Sequence, residues 1–340
     1  MGDKLIISKH IVGKKFLVTG GTGSFGKYIT QHLLKHGAKE VTVFSRDEDK
    51  QYSMQFDFRE YKERLRFFIG DVRDLDSITK ATRGIDIVFH AAALKQIPST
   101  EHNVIEAVKT NVLGANNVVD ACIANGVKKV VAISTDKAVE PINTMGLTKA
   151  LQERIFILGN QAQKKTKFAL VRYGNVVASR GSVIPLFKKQ IEQGGPISVT
   201  HKDMTRFILT LSQAMDLVFI ALDSMVGGEI FIPKIKPLKI FDLAHVMLDE
   251  LKPKNLKIKE TGVRPGEKLH ESLISEIESP RIIDREDHYI LLPLIDLKET
   301  SYIYKLKKYD FDKVFSYSSD QGPFLSRSMI KAILVNDGVL

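Results

Sequence analysis

Thr135, Asp136 and Lys137 stand in consecutive positions of the stretch STDKAVEPINTMGLTKALQER, residues 134–154. A hydroxyl, a carboxyl and an amine side by side can orient a substrate hydroxyl and exchange protons with it. Asp136 is a candidate acid and Lys137 a candidate base. An amine serves as a base near neutral pH only if burial or a neighbouring cation lowers its pKa. Met145 and Lys149 follow, four residues apart, which stacks them one helical turn from each other. Lys149 can hold a ligand and bias nearby pKa values, whereas the Met145 thioether cannot carry a proton. A hydroxyl proton released at this site must therefore go to Asp136, Lys137, Lys149 or a water. A surface ion pair would equally put Asp136 beside Lys137, and a plain helix-surface lysine would explain Lys149.

A second constellation lies near the start of the chain, in FLVTGGTGSFGKYI. Gly20, Gly23 and Gly26 are spaced three apart between an apolar run and a helical pattern, with Thr22, Ser24 and Phe25 among them. Glycines at this spacing allow a tight turn and close backbone approach to a pyrophosphate, which the N-terminus of the following helix then attracts. The next apolar run ends in Ser45 and Arg46, where an acidic residue would hold a ribose 2′-hydroxyl. A guanidinium suits a 2′-phosphate instead, so NADP is favoured over NAD. The alternative makes Arg46 a surface residue and gives Asp47 the acidic role. Asp71 and Val72 end a third run, where Asp71 can accept from an adenine amino group. Small Ala91 and Ala92 end a fourth and let a cofactor pass.

These motifs must be carried by regular elements. KKFLVTG, EVTVFS, RLRFFIG, IDIVFHA, KKVVAIS and KFALVRYG read as buried parallel strands, with helical segments such as FGKYITQHLLKHG between them. The alternation predicts an α/β chain: a Rossmann-like doubly wound parallel sheet with a smaller C-terminal α/β lobe. Residues 1–175, with a returning segment near 206–222, form the dinucleotide-binding unit. Residues 176–205 and 223–340 form the substrate lobe and tail.

Composition narrows the partners. Of 340 residues 26% are charged and 44% hydrophobic, ordinary for a globular protein, and the net charge is +10. The basic residues are scattered without aromatic interleaving or zinc-finger spacing, which points to anionic small ligands and away from nucleic acid. No apolar run is long enough to span a bilayer, and the start has no small-residue cleavage site, so no membrane span and no secretory signal are expected. The one cysteine, Cys122, excludes an internal disulfide and reads as a core thiol, and a cytoplasmic location follows. His201 and His270 lack metal-ligand spacing, so no metal site is expected.

Taken together, TGGTGSFG, FSRDE, GDVRD, HAAALKQ, TNVLG, the STDK-to-KAL stretch, RYGNV, SRGSVIPLF, MTRF and RPGEKLHE resemble the extended short-chain dehydrogenase/reductases that act on nucleotide sugars. The likeness is strongest to the inverting UDP-N-acetylglucosamine 4,6-dehydratases (5-epimerising), which make capsule and O-antigen precursor sugars. Methionine in place of the usual tyrosine at position 145 is a feature of that branch. The resemblance implies a lyase whose NADP-dependent reaction oxidises C4, eliminates water across C5–C6, returns hydride to C6 and reprotonates C5 on the opposite face. The implied product is UDP-2-acetamido-2,6-dideoxy-β-L-arabino-hexos-4-ulose. It gives Thr135 to the 4-hydroxyl, Asp136 to the departing C6 hydroxyl, Lys137 to C5 and Lys149 to the nicotinamide ribose. Met145 packs against sugar or nicotinamide. It also implies substrate contacts at Lys95, Asn175, Arg180, Ser182, Arg206, Arg264 and Glu267, with the arginines on the diphosphate. A homo-oligomer, dimer or larger, is implied as well. The rival within this fold is a UDP-hexose 4-epimerase acting on UDP-glucose or UDP-N-acetylglucosamine. A non-catalytic NADP-binding sensor is the alternative from another class.

Overall fold

The computed structural model describes residues 9–162, 165–177, 179, 181–251, 256–304 and 314–340. Arg180 lies outside the described residues. Six strands carry the sheet: β1 (Lys15–Thr19), β2 (Glu40–Ser45), β3 (Leu65–Ile69), β4 (Ile87–His90), β5 (Lys129–Ile133) and β6 (Lys167–Val171). They pair in parallel in the order β3-β2-β1-β4-β5-β6. Alternation along β1 explains why both faces must be covered. Phe16 and Val18 enter one core with Ile29 and Leu33, while Leu17 enters the opposite core with Val88 and Val130. Full burial of each such side chain contributes about 1.5–3 kcal/mol. Cys122 lies in the second core, and burial pushes its thiol pKa up, away from reactivity.

The sheet does not stop at β6. Strand Ile230–Pro233 pairs with it in parallel, and the hairpin strands His288–Leu291 and Ile282–Asp284 add two antiparallel neighbours. These segments fall in the range 223–340 that the sequence pattern assigned to the substrate lobe, and the structure corrects that assignment. A short apolar strand bounded by glycines looks the same whichever sheet it joins. Helix Leu211–Ser224 also packs on the large sheet, its Leu217, Val218 and Leu222 sharing the core of Phe16 and Ile29. The smaller lobe has its own core of Ile184, Phe187, Val199, Leu243, Met247, Ile330 and Leu334. Its three-stranded sheet joins Pro237–Lys239, Thr205–Leu209 and Asn175–Val176.

Two polar devices lock the frame around the carboxyl edge. Arg172, 1% exposed just past β6, takes Glu153 on one side (3.0 and 2.7 Å) and Glu278 on the other (2.9 Å twice). Ser134 donates to the same Glu153 at 2.6 Å. A buried guanidinium is tolerated only when paired this completely. The second device is a π-helical stretch, Val108–Leu113, within the helical run Val104–Ala124. It carries Asn111, whose amide receives Leu94 N–H at 2.8 Å and donates to Leu94 O and Thr148 Oγ1 at 3.0 Å each. That fastens the loop after β4 to the helix Thr144–Ala162, which bears Met145 and Lys149.

Candidate functional site

A cavity of about 750 Å3 runs along the carboxyl edge of the sheet and into the smaller lobe. Ligands bind at this edge in doubly wound folds, where the strand order reverses between β1 and β4. Four of the buried polar atoms that lack a hydrogen-bond partner among the described residues belong to its lining side chains Thr110, Asn175, Glu267 and Glu271. Ser182 Oγ is a fifth. Buried orphans are uncommon in folded chains, so their convergence marks surface shaped for a polar ligand.

One end of the cavity is a dinucleotide cradle. Gly20 has φ +66°, and a Cβ there would stand 2.8 Å from Ala92 N and 2.9 Å from the Ala91 carbonyl. Gly26 is as confined, with Gly21 Cα 2.5 Å from where its Cβ would lie. Only glycine fits either place. Gly23 precedes helix Ser24–Lys35, which aims its first N–H groups at the cradle, and Thr22, Ser24 and Phe25 line it. Thr22 and Ser45 hydroxyls meet at 2.9 Å. Val72 is buried against Gly114, where a Cβ would collide with it at 2.8 Å.

Arg46 and Lys50 put two cations at the end of β2, on the cavity wall. Asp47, on the same wall, caps helix Glu48–Asp57 by accepting Lys50 N–H at 2.9 Å and also meets Lys50 Nζ. Asp71 also has protein partners. Arg73 reaches it at 2.6 Å and Arg46 at 3.3 Å. Burial opposes its ionisation, but bonds from Arg73 and the charge of Arg46 outweigh this and hold it below the usual carboxylate range.

The other end carries the acid–amine stretch. Asp136 is fully buried; its Oδ1 accepts from Thr135 Oγ1 at 2.8 Å and from Lys137 Nζ at 3.0 Å, while Oδ2 has no hydrogen-bond partner among the described residues. Lys137 is 18% exposed and lies 3.2 Å from Glu271 as well. Desolvation works to lower its pKa, yet Asp136 and Glu271 prevail and raise it. The lowered lysine expected at position 137 is therefore not what the ligand-free cavity holds: Lys137 is an ammonium at rest.

Lys149 is the amine that burial does depress. It is 6% exposed, and desolvation brings its pKa down to about 7 against a small opposing pull from Glu153. Its Nζ is fixed 2.6 Å from Ile133 O and 2.6 Å from Gln152 Oε1. Met145 is buried one turn away on the cavity wall. Helix entry is set by Asn143, which accepts Gly146 N–H at 2.8 Å and donates to Gly266 O at 2.8 Å.

Of the expected substrate contacts, Lys95, Asn175, Ser182, Arg206, Arg264 and Glu267 all line the cavity. Partial burial lowers the Lys95 ammonium pKa. Arg206 also has protein partners. Its fork donates to Thr205 O (2.7 Å), Leu269 O (3.0 Å) and Lys268 O (2.9 Å), with Glu267 at 3.5 Å. These bonds hold the RPGEKLHE segment, and Arg264 lines the cavity exposed at its rim. Sequence reasoning passed over Thr110, Tyr173 and Glu271. Tyr173 and Glu271 lay inside the quoted RYGNV and RPGEKLHE, but nothing in their spacing distinguished them. Among the described residues no cluster of three His, Cys, Asp or Glu side chains could hold a metal ion. Nor is any helix among them long and apolar enough to cross a membrane.

The chain is similar to known proteins over most of its length. A family model described as polysaccharide biosynthesis protein matches residues 16–293. An inverting UDP-N-acetylglucosamine 4,6-dehydratase of Campylobacter jejuni is 45% identical over 92% of this chain and 94% of its own. A UDP-glucose 4-epimerase of Rickettsia conorii is 47% identical over 82% of each chain. A protein of Methanocaldococcus jannaschii, described as an uncharacterised membrane protein, is 44% identical over 96% of this chain and 97% of its own. The X-ray structure of Pen from Bacillus thuringiensis superposes with a TM-score of 0.89 at 38% identity, over 97% of this chain and 99% of that one.

Proposed function

The chain belongs to the polysaccharide biosynthesis protein family, and from that premise we propose that it is a UDP-N-acetylglucosamine 4,6-dehydratase that inverts C5. The observation that carries the reading is the buried Asp136–Lys137 pair with one carboxylate oxygen left over. Dehydration must deliver a proton to a leaving hydroxyl and remove one from carbon. Inversion at C4 alone needs neither.

NADP, when bound, supplies hydride acceptance from C4 and hydride return to C6. The chain's residues do the rest. Thr135 orients the 4-hydroxyl, and Lys149, near half-ionised at neutral pH, takes its proton. The resulting ketone acidifies C5–H. Lys137 hands a proton across 3.0 Å to Asp136, which makes a neutral acid beside a free amine. Asp136 then protonates the C6 hydroxyl as its C–O bond breaks, and Lys137 takes the C5 proton. When hydride returns to C6, a water protonates C5 on the face opposite Lys137, and Lys149 releases the 4-hydroxyl proton to solvent. The proton lost with water from Asp136 is replaced on the amine by the one from C5, so protons balance. Glu267 and Asn175 offer orphan acceptors to ribose and sugar hydroxyls, Ser182 and Lys95 lie along the sugar, and Arg264 faces the diphosphate.

The test is incubation with UDP-N-acetylglucosamine in D2O followed by NMR. A 6-deoxy-4-keto sugar carrying deuterium at C5 is expected. A galacto epimer with no C5 label overturns the reading and favours the 4-epimerase, the activity printed for the Rickettsia relative.

Arg46, Lys50 and Ser45 also support NADP as the cofactor. Arg46→Ala is expected to weaken NADP binding about ten- to hundredfold, the scale of a charged hydrogen bond. NAD binding should hardly change, and fluorescence titration reads both. Leu147, Leu151 and Leu158 form an exposed stripe on helix Thr144–Ala162, and Ile105 and Leu113 are exposed on the helical run beside it. They support a homo-oligomer joined through these helices. Leu151→Asp is expected to shift the sedimentation profile to monomer. A cytoplasmic enzyme with no membrane span is the location that suits a nucleotide-sugar substrate, and cell fractionation tests it.

A further inference from the structure

Glu271 has no part in the steps above, yet it is built into the same cluster. It is 2% exposed, with Oε1 3.2 Å from Lys137 Nζ and 3.9 Å from Arg206 Nε. Oε2 is buried without a hydrogen-bond partner among the described residues, on a side chain that lines the cavity. The backbone at this position is held from both sides by Ser319. Glu271 N–H donates to Ser319 Oγ at 2.9 Å, and its carbonyl accepts Ser319 N–H at 2.8 Å. Ser319 Oγ in turn meets Thr205 Oγ1 at 2.8 Å. Asp136 approaches Lys137 from the end of β5, and Glu271 approaches from this second frame. Lys137 is the point where the two meet.

A buried carboxylate is costly unless a cation answers it. The charged groups facing Lys137 Nζ are Asp136 on its own turn, Glu271, and Arg206 from strand Thr205–Leu209. Arg206 is occupied by three backbone carbonyls. Those bonds use its two terminal nitrogens, and its Nε stands 3.9 Å from Glu271, so Lys137 at 3.2 Å is the nearer of the two cations that Glu271 meets.

We propose that Glu271 is a positioning residue that acts through Lys137: with Asp136 it grips the amine from two sides and fixes where that nitrogen exchanges a proton with C5. The proposal rests on the dehydratase reading. Once Asp136 has been neutralised, Glu271 is the carboxylate that still holds the nitrogen in place and receives the ammonium when the C5 proton arrives. Its orphan oxygen leaves it free to accept a substrate hydroxyl at the same time.

Glu271→Gln keeps the size and an acceptor oxygen but removes the charge. Lysine 13Cε NMR, with the Lys137 signal assigned by its loss in Lys137→Arg, reads the titration without any turnover. The expected result is a Lys137 pKa lower by about one unit or more in the Gln variant, the usual effect of losing a neighbouring opposite charge. In parallel kcat and C5 deuterium exchange should fall, with KM for the UDP-sugar unchanged. An unchanged Lys137 titration overturns the proposal. Should the variant not fold, the wild-type protein decides: Lys137 must titrate above the ordinary lysine value of about 10.4, and titration at or below it overturns the proposal. A shifted Lys137 in a protein that never dehydrates UDP-N-acetylglucosamine would sink the dehydratase reading and leave the grip standing. Dehydration with an unshifted Lys137 would do the reverse.

Discussion

Asp136→Asn is expected to cut formation of the 6-deoxy-4-keto product by roughly 10²–10⁴-fold, the scale of a lost general acid. The replacement is nearly isosteric. An asparagine carbonyl still accepts from Thr135 Oγ1 and Lys137 Nζ, which now stand at 2.8 and 3.0 Å, so the local frame is kept. What disappears is the capacity to take a proton from Lys137 and pass it to the C6 hydroxyl. UDP-sugar binding should be little changed, because no diphosphate or uridine contact passes through Asp136. C5–H should also stop exchanging with D2O in recovered substrate, because Lys137 becomes a free amine only by handing its proton to Asp136. A 4-epimerase would respond otherwise: Asp136 has no hydroxyl to expel there, and epimer formation would persist. Product formation at the wild-type rate would end the claim that Asp136 is the acid.

The parts of this design that were legible in the sequence are those fixed by covalent or steric rules. Gly20 and Gly26 could be read because no other residue fits a backbone that approaches Ala91 and Gly21 so closely. The first six strands could be read because a sheet covered on both faces demands unbroken apolar runs. Thr135, Lys137, Met145 and Lys149 line one cavity, and Asp136 is bonded to two of them, Thr135 and Lys137.

Charge states and the choice of partner were not legible. Lys137 and Lys149 are both buried amines in one short stretch, and their ionisation is driven in opposite directions. Lys137 is held charged first by Asp136, its neighbour in sequence, and then by Glu271, which lies 134 positions along the chain and touches it only in the folded state, while Lys149 meets burial with only Glu153 to oppose it. Arg206 reads as a phosphate ligand in MTRF, and its bonds to the carbonyls of Lys268 and Leu269 in the RPGEKLHE segment are made only because tertiary structure brings that segment near. Strand Ile230–Pro233 has the same difficulty at the scale of topology, because its apolar pattern names no neighbour.

Lys149→Met should separate activity from stability in a way that depends on pH. Turnover is expected to fall roughly 10²–10⁴-fold, because the chain loses the amine best matched to accept the 4-hydroxyl proton near neutrality. The cofactor-free protein should nevertheless become more stable. Lys149 has a folded pKa of about 7 against an ordinary 10.5. Above pH 10.5 the amine is neutral in both states and contributes no difference. Between 10.5 and 7 the unfolded chain binds a proton that the folded chain does not, so wild-type stability falls as pH falls through this window. Below pH 7 both states are charged and the full penalty of the buried ammonium remains. Methionine fills similar volume without that penalty, at the expense of the bonds to Ile133 O and Gln152, and Gln152 Nε2 still reaches Ile133 O at 3.3 Å. The gain in Tm over wild type should therefore be greatest at or below pH 7 and fade toward pH 10.5. Thermal unfolding at pH 6, 8 and 10 would measure it. A gain that is independent of pH would mean that Lys149 is not desolvated as the geometry requires. A variant less stable at pH 6 would mean that its two short hydrogen bonds outweigh the burial of its charge, and Lys149 would then be a structural anchor rather than an amine held ready for a proton.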